Sequence, residues 1–127
     1  MSEAITEGVR VVVEATFHAD RSDPMRRYWF FSYAVRITNE GPGVVQLLSR
    51  HWIITDGLGQ VQHVRGPGVV GEQPVLSPGA SFAYQSACPL PTAVGSMQGT
   101  YEMRRADGSR FDAVIAPFTL ADPDQIN

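Results

Sequence analysis

The sequence predicts an all-β protein, an immunoglobulin-like or fibronectin type III-like antiparallel β-sandwich of about seven to eight strands. Three observations carry that expectation. Apolar residues recur with a period of two in several short segments, and no segment sustains the helical period of 3.6. The 12 Gly and 9 Pro fall largely between those segments, where turns need them. Hydrophobic residues at 43% against 18% charged supply a core and exclude disorder as the main state. A chain of 127 residues is one domain's worth. It is read as a single domain over 1–127, ordered from about residue 8 to about residue 120 with short terminal tails.

The strands follow in order. Val9, Val11, Val13, Ala15 and Phe17 share one face, with Arg10, Glu14 and Thr16 on the other, so this strand has one wet side. His18–Met25 is polar and ends at Asp23-Pro24, a stop signal. Arg27–Asn39 places Trp29, Phe31, Tyr33, Val35 and Ile37 on one face and is the strongest core strand. Asn39-Glu40-Gly41-Pro42-Gly43 is a turn. Val44–Thr55 is extended, interrupted at Arg50-His51 just before Trp52. Asp56-Gly57 turns into a short strand over Gln60–Arg65, and Gly66–Pro74 is irregular. Pro78-Gly79 precedes a strand over Ser81–Ala87, and the prolines of Cys88–Gly95 mark a crossing loop. Gly99–Arg105 and Arg110–Ala116 form a hairpin closed at Asp107-Gly108, extended by Phe118 and Leu120. Ala121–Asn127 reads as a frayed tail.

Composition narrows the chemistry. All 10 basic residues are Arg, which excludes lysine Schiff bases and the Walker A loop. A single Cys excludes an internal disulfide framework and a Cys-only zinc site. Net charge of -3 argues against nucleic acid or an anionic membrane as partner. The first eight residues lack the apolar run of a secretory signal, and Tyr28–Val35 is too short to span a bilayer, so a cytoplasmic location is expected.

One motif invites a functional reading. Gly66-Pro67-Gly68-Val69-Val70-Gly71 matches the letters G-x-G-x-x-G, which in dinucleotide-binding folds join a strand to a helix. Val69-Val70 and the prolines at 74 and 78 leave no room for that helix. The glycines then read first as a tight connection between strands; the functional alternative is an anion or nucleotide site built from Arg65, Gly66, Gly68, Val69 and Gly71, using backbone N–H groups as a nest. Pro67 subtracts one N–H from it. His18, Asp20 and Asp23 are too few to make a metal site, His51 sits at the core edge and His63 is solvated. Cys88 has no activating neighbour and reads as a structural thiol. Arg26-Arg27 and Arg104-Arg105 would form a basic spot only if the fold joined them. No catalytic residues, metal site or cofactor are expected.

Several blocks together carry a resemblance. They are Phe31-Ser32-Tyr33-Ala34-Val35, Val45 through Asp56, Gly68-Val69-Val70-Gly71-Glu72-Gln73-Pro74, Pro78-Gly79, and Gly95 through Met103. In this order the chain resembles the bacterial ApaG family, also called CorD, over nearly its whole length. The resemblance implies a fibronectin type III-like sandwich and an association with cobalt resistance and magnesium efflux. It also implies partner binding, since related domains occur in F-box proteins and in a polymerase-delta-interacting protein. The expected function is a small non-enzymatic domain that binds an unidentified protein partner, with a phosphate- or nucleotide-binding protein as the alternative.

Overall fold

Period-two burial dictates the architecture. In the computed structural model, which describes residues 1–125, nine strands lie in two antiparallel sheets. They are β1 (Ser2–Thr6), β2 (Val9–Phe17), β3 (Trp29–Asn39), β4 (Val45–Asp56), β5 (Val61–Pro67), β6 (Val75–Leu76), β7 (Ser81–Leu90), β8 (Val94–Arg105) and β9 (Arg110–Ala121). One sheet runs β1-β2-β3-β7; the other runs β5-β4-β8-β9, with β6 also paired to β4. Phe31, Tyr33, Val35 and Ile37 face Val9, Val11 and Val13 of their own sheet's inner side and Trp52, Tyr101, Ile115 and Leu120 of the other. Phe31, 1% exposed, packs at a tilt against Phe17 with 5.3 Å between ring centroids.

The sandwich is closed on one side and open on the other. β1 and β9 meet across the layers, where the Val114 N–H donates to Thr6 Oγ1 at 3.0 Å. On the opposite side β7 ends one sheet and β5 with β6 ends the other.

Several expectations change in detail. The residues before Gly8 are no tail: Ser2–Thr6 pairs with β2 through Glu7-Gly8, both at positive φ. The prolines of Cys88–Gly95 interrupt less than expected. Pro89 sits in β7 at a position whose missing N–H faces the open edge. At Asp107-Gly108 the turn is longer than two residues, with Arg105 N–H bonded to Ser109 O and Asp107 Oδ1 accepting from Ser109 N–H. Arg26 and Arg27 lie at one end of β3 and Arg104 and Arg105 beyond its other end, so no basic spot forms. At the C-terminus Asp122 is buried and caps Asp124. Ile126 and Asn127 of the expected tail lie outside the described residues.

Candidate functional site

A β-bulge decides what faces the glycine loop. The β4–β8 register shifts between Leu47 and Ser49, so Val45 and Leu47 face inward before it and Arg50 and Trp52 after it. Arg50 is thereby turned under β5. A Cβ on Gly66 would lie 3.0 Å from its guanidinium, and Arg50 Nη1 donates to Pro67 O and Gly68 O, both at 3.0 Å.

The loop beyond β5 is a tight hairpin. Val69 N–H donates to Glu72 O at 2.8 Å and Glu72 N–H to Val69 O at 2.9 Å, with Val70 at φ 43 and Gly71 at φ 81 between them. Two successive positive φ values are the type I′ pattern, which favours Asn-Gly. A β-branched residue there is strained. Gly68 is also at positive φ, and a Cβ on it would stand 2.3 Å from Glu72 O. Its N–H donates to Leu48 O at 2.8 Å.

The five residues expected to form an anion site are thus contiguous but differently directed. Gly66 is a rung of the β4–β5 ladder. Gly68 and Val69 spend their N–H groups inside the fold, and Val69 is fully buried. Gly71 N–H and its neighbour Val70 N–H bond to no acceptor among the described residues. Arg65 is exposed on the outer face opposite His51 and makes no ion pair among the described residues.

Sequence reasoning missed two clusters. His51 Nε2 and His63 Nδ1 are 2.8 Å apart across β4 and β5, with rings stacked at 5.1 Å. Local desolvation, then Arg65 and His63, hold His51 below the ordinary histidine range, against a smaller pull from Asp112. Behind Arg50, Tyr84 and Tyr101 join their hydroxyls between the sheets. Burial raises Tyr33, Tyr84 and Tyr101 above the usual phenol range, so all three are neutral at pH 7. Burial likewise pushes the Cys88 thiol up to about 11. His18 Nε2 lies 2.6 Å from Ser32 Oγ and Asp23 pairs with Arg26, and among the described residues no group of three metal-ligating side chains converges.

The outer face of β3 and β7 has a different character. A shallow trough of about 450 Å³ is lined by Val12, Ala34 and Ala83, with Glu14, Arg36 and Gln85 at its rim. Along β7 the outward side chains are Ser81, Ala83, Gln85, Ala87 and Pro89, all exposed and none charged.

Comparison with known proteins fits this geometry. The family model described as the ApaG domain matches residues 19–105, which run from the loop before β3 to the end of β8. The chain belongs to the ApaG family. It is 54% identical over 127 residues to Protein ApaG of Anaeromyxobacter dehalogenans strain 2CP-C, covering 100% of both chains. Protein ApaG of Methylobacterium nodulans is 54% identical over 97% of this chain and 95% of that one. A crystal structure from Bordetella pertussis, of a protein given the provisional name ApaA, superposes with a TM-score of 0.88 at 50% identity, covering 91% of this chain and 94% of its own. The ApaG sandwich expected from the sequence is therefore the fold. No described helix is long and apolar enough to cross a membrane.

Proposed function

We propose that this ApaG-family chain is a non-enzymatic, cytoplasmic protein-binding domain whose contact surface is the outer face of β3 and β7. The observation that carries this reading is the trough over Ala34 and Ala83. Small side chains there bare the sheet to a partner, and the flanking Glu14 and Arg36 offer charges of both signs to fix its register. Support also comes from the ionisable groups inside the sandwich. Tyr33, Tyr84, Tyr101 and Cys88 all favour their protonated forms, the opposite of an activated nucleophile or base. On this reading the family's association with cobalt and magnesium acts through the partner. The test is a photo-crosslinking residue placed at Ala34, at Ala83 and, as control, at Thr100 on the other sheet. A distinct protein adduct from the first two and not from Thr100 supports the surface. Equal labelling from both faces, or none, refutes it.

A weak phosphate contact is a second reading, favoured by the N–H groups of Val70 and Gly71, which have no acceptor among the described residues, and by Arg65 on the same stretch of chain, which has no ion pair among them. With two amides and one exposed cation it binds at about millimolar strength, near -4 kcal/mol. Amide shifts of Gly66, Gly68, Val69 and Gly71 during pyrophosphate titration test it. Silence at several millimolar and low salt removes it.

A further inference from the structure

Among the described residues, the strand edges of this sandwich differ in how they are protected. β1 and β9 cover each other. β5 carries His63 and Arg65 and ends at Pro67, a pattern that discourages further pairing. β7 is less protected: its one edge-facing break, Pro89, lies one residue from its end. It is ten residues long, regular throughout its pairing with β3, and without a single charged side chain.

Its hydrogen-bonding groups have a definite direction. Asn39 N–H donates to Ala80 O at 3.0 Å, and in an antiparallel pair inward and outward backbone groups alternate residue by residue. Phe82, Tyr84, Ser86 and Cys88 therefore turn their N–H and C=O toward β3. Ser81, Ala83, Gln85 and Ala87 turn theirs to the open edge, and Pro89 offers only its C=O there. Those outward groups are symmetric about Gln85.

We propose that a second copy of this chain adds its β7 antiparallel to this one, on a two-fold axis at Gln85, joining two four-stranded sheets into one eight-stranded sheet. Gln85 then exchanges both backbone bonds with its equivalent, Ala83 pairs with Ala87, and Ser81 pairs with Pro89. About eight backbone hydrogen bonds result, and the missing proline N–H falls at the ends of the ladder where it costs least. Self-pairing brings identical residues together, so a strand free of charge is what it requires; the same operation on β5 would crowd His63 and Arg65. Small side chains at Ala83 and Ala87 let the two outer faces meet without a clash. The trough over Ala34 continues across the axis, because Ala83 and Gln85 line both. This inference goes beyond partner binding and does not rest on it.

A strand addition of this size sits at the small end of interface classes, so association is expected at micromolar concentrations. Sedimentation velocity from about 1 to 200 μM is expected to show a species of twice the 13.9 kDa chain mass at the upper end. Gln85→Lys and Gln85→Glu each place like charges on the axis and weaken the dimer by roughly tenfold or more. Mixing the two variants restores it, which a folding defect would not do. Arg65→Glu, on β5, leaves it unchanged. A wild-type monomer at 200 μM, or a dimer untouched by either Gln85 variant, overturns the proposal. A monomer that still gives the Ala83 crosslink to another protein would refute self-pairing and leave the outer-face contact standing.

Discussion

The glycines of the loop after β5 differ in what their substitution must cost, and the difference can be worked from geometry. Gly71 is at φ 81 with nothing within 4 Å of an added Cβ. Gly71→Ala therefore costs only the left-handed penalty, about 1 kcal/mol. Gly68 is at φ 61 and pays the same penalty, but its Cβ would also stand 2.3 Å from Glu72 O. Relief requires moving the loop segment that carries Glu72, which loosens the two Val69–Glu72 hydrogen bonds, about 1 kcal/mol each. Gly68→Ala is thus expected to cost about 3–4 kcal/mol. Val70 runs the other way: at φ 43 and 58% exposed it strains a turn that prefers Asn, so Val70→Asn should gain about 0.5–1 kcal/mol. Equilibrium urea unfolding resolves all three at constant m. At about 3–5 °C per kcal/mol, melting temperatures should fall by roughly 10 °C or more for Gly68→Ala and by a few degrees for Gly71→Ala. A Gly68→Ala variant no less stable than Gly71→Ala would refute the reasoning.

Phe31→Ala should lose about 3–5 kcal/mol in the same assay, since it empties a site between Phe17 and the β7 strand; a variant melting like wild type would mean the core is misplaced. Cys88 should resist thiol reagents at pH 7 and label only after unfolding, because its thiol keeps its proton to about pH 11. Cys88, Tyr33, Tyr84 and Tyr101 all hold protons more tightly folded than unfolded. Their contribution to stability is whole below about pH 9 and declines above it, so a pH–melting curve flat from 8 to 11 would contradict their burial. His51 should titrate below the free histidine value by NMR, and Arg65→Gln should raise its midpoint; the His51–His63 contact is then retained at neutral pH and lost only as pH falls through the lowered His51 midpoint, beneath the ordinary histidine range.

Strand periodicity made the core legible in advance. Residues 31, 33, 35 and 37 of β3 alternate without interruption, and so do 9, 11 and 13 of β2, because each strand has one dry and one wet face. β1 escaped because its turn is Glu7-Gly8, and Glu is a poor marker for a position at φ 48. The reach of β7 to Leu90 escaped because Pro89 reads as a breaker unless the strand is known to be an edge. Arg50 and His51 could not be assigned to faces from sequence. The bulge at Leu48 reverses the alternation of β4, sending the arginine inward and the histidine out. That one inserted residue hid both the Arg50–tyrosine cluster and the pairing of His51 with His63. Two histidines twelve residues apart across a predicted hairpin are a signal that could have exposed the second.

The glycine loop shows how one string of letters can serve opposite electrostatic demands. In a dinucleotide fold the glycines let successive N–H groups converge on a negative ligand at a helix terminus. Here the convergence is on a positive group supplied from within. The carbonyls of Pro67 and Gly68 turn to the Arg50 guanidinium, Gly66 is bare because that guanidinium lies against it, and Gly68 is bare because the returning loop at Glu72 passes over it. The N–H groups of Gly68 and Val69 go to Leu48 and Glu72, so the donors that would cradle a phosphate are spent on holding the hairpin against β4. Among the described residues the N–H groups of Val70 and Gly71 and the Arg65 side chain are left outward without a partner, and a carbonyl-lined arginine a few residues away adds no free fork to them. The sequence requirement for glycine is met by packing around Arg50 before any ligand is considered, so an Arg50→Met variant should loosen the loop whether or not an anion is present.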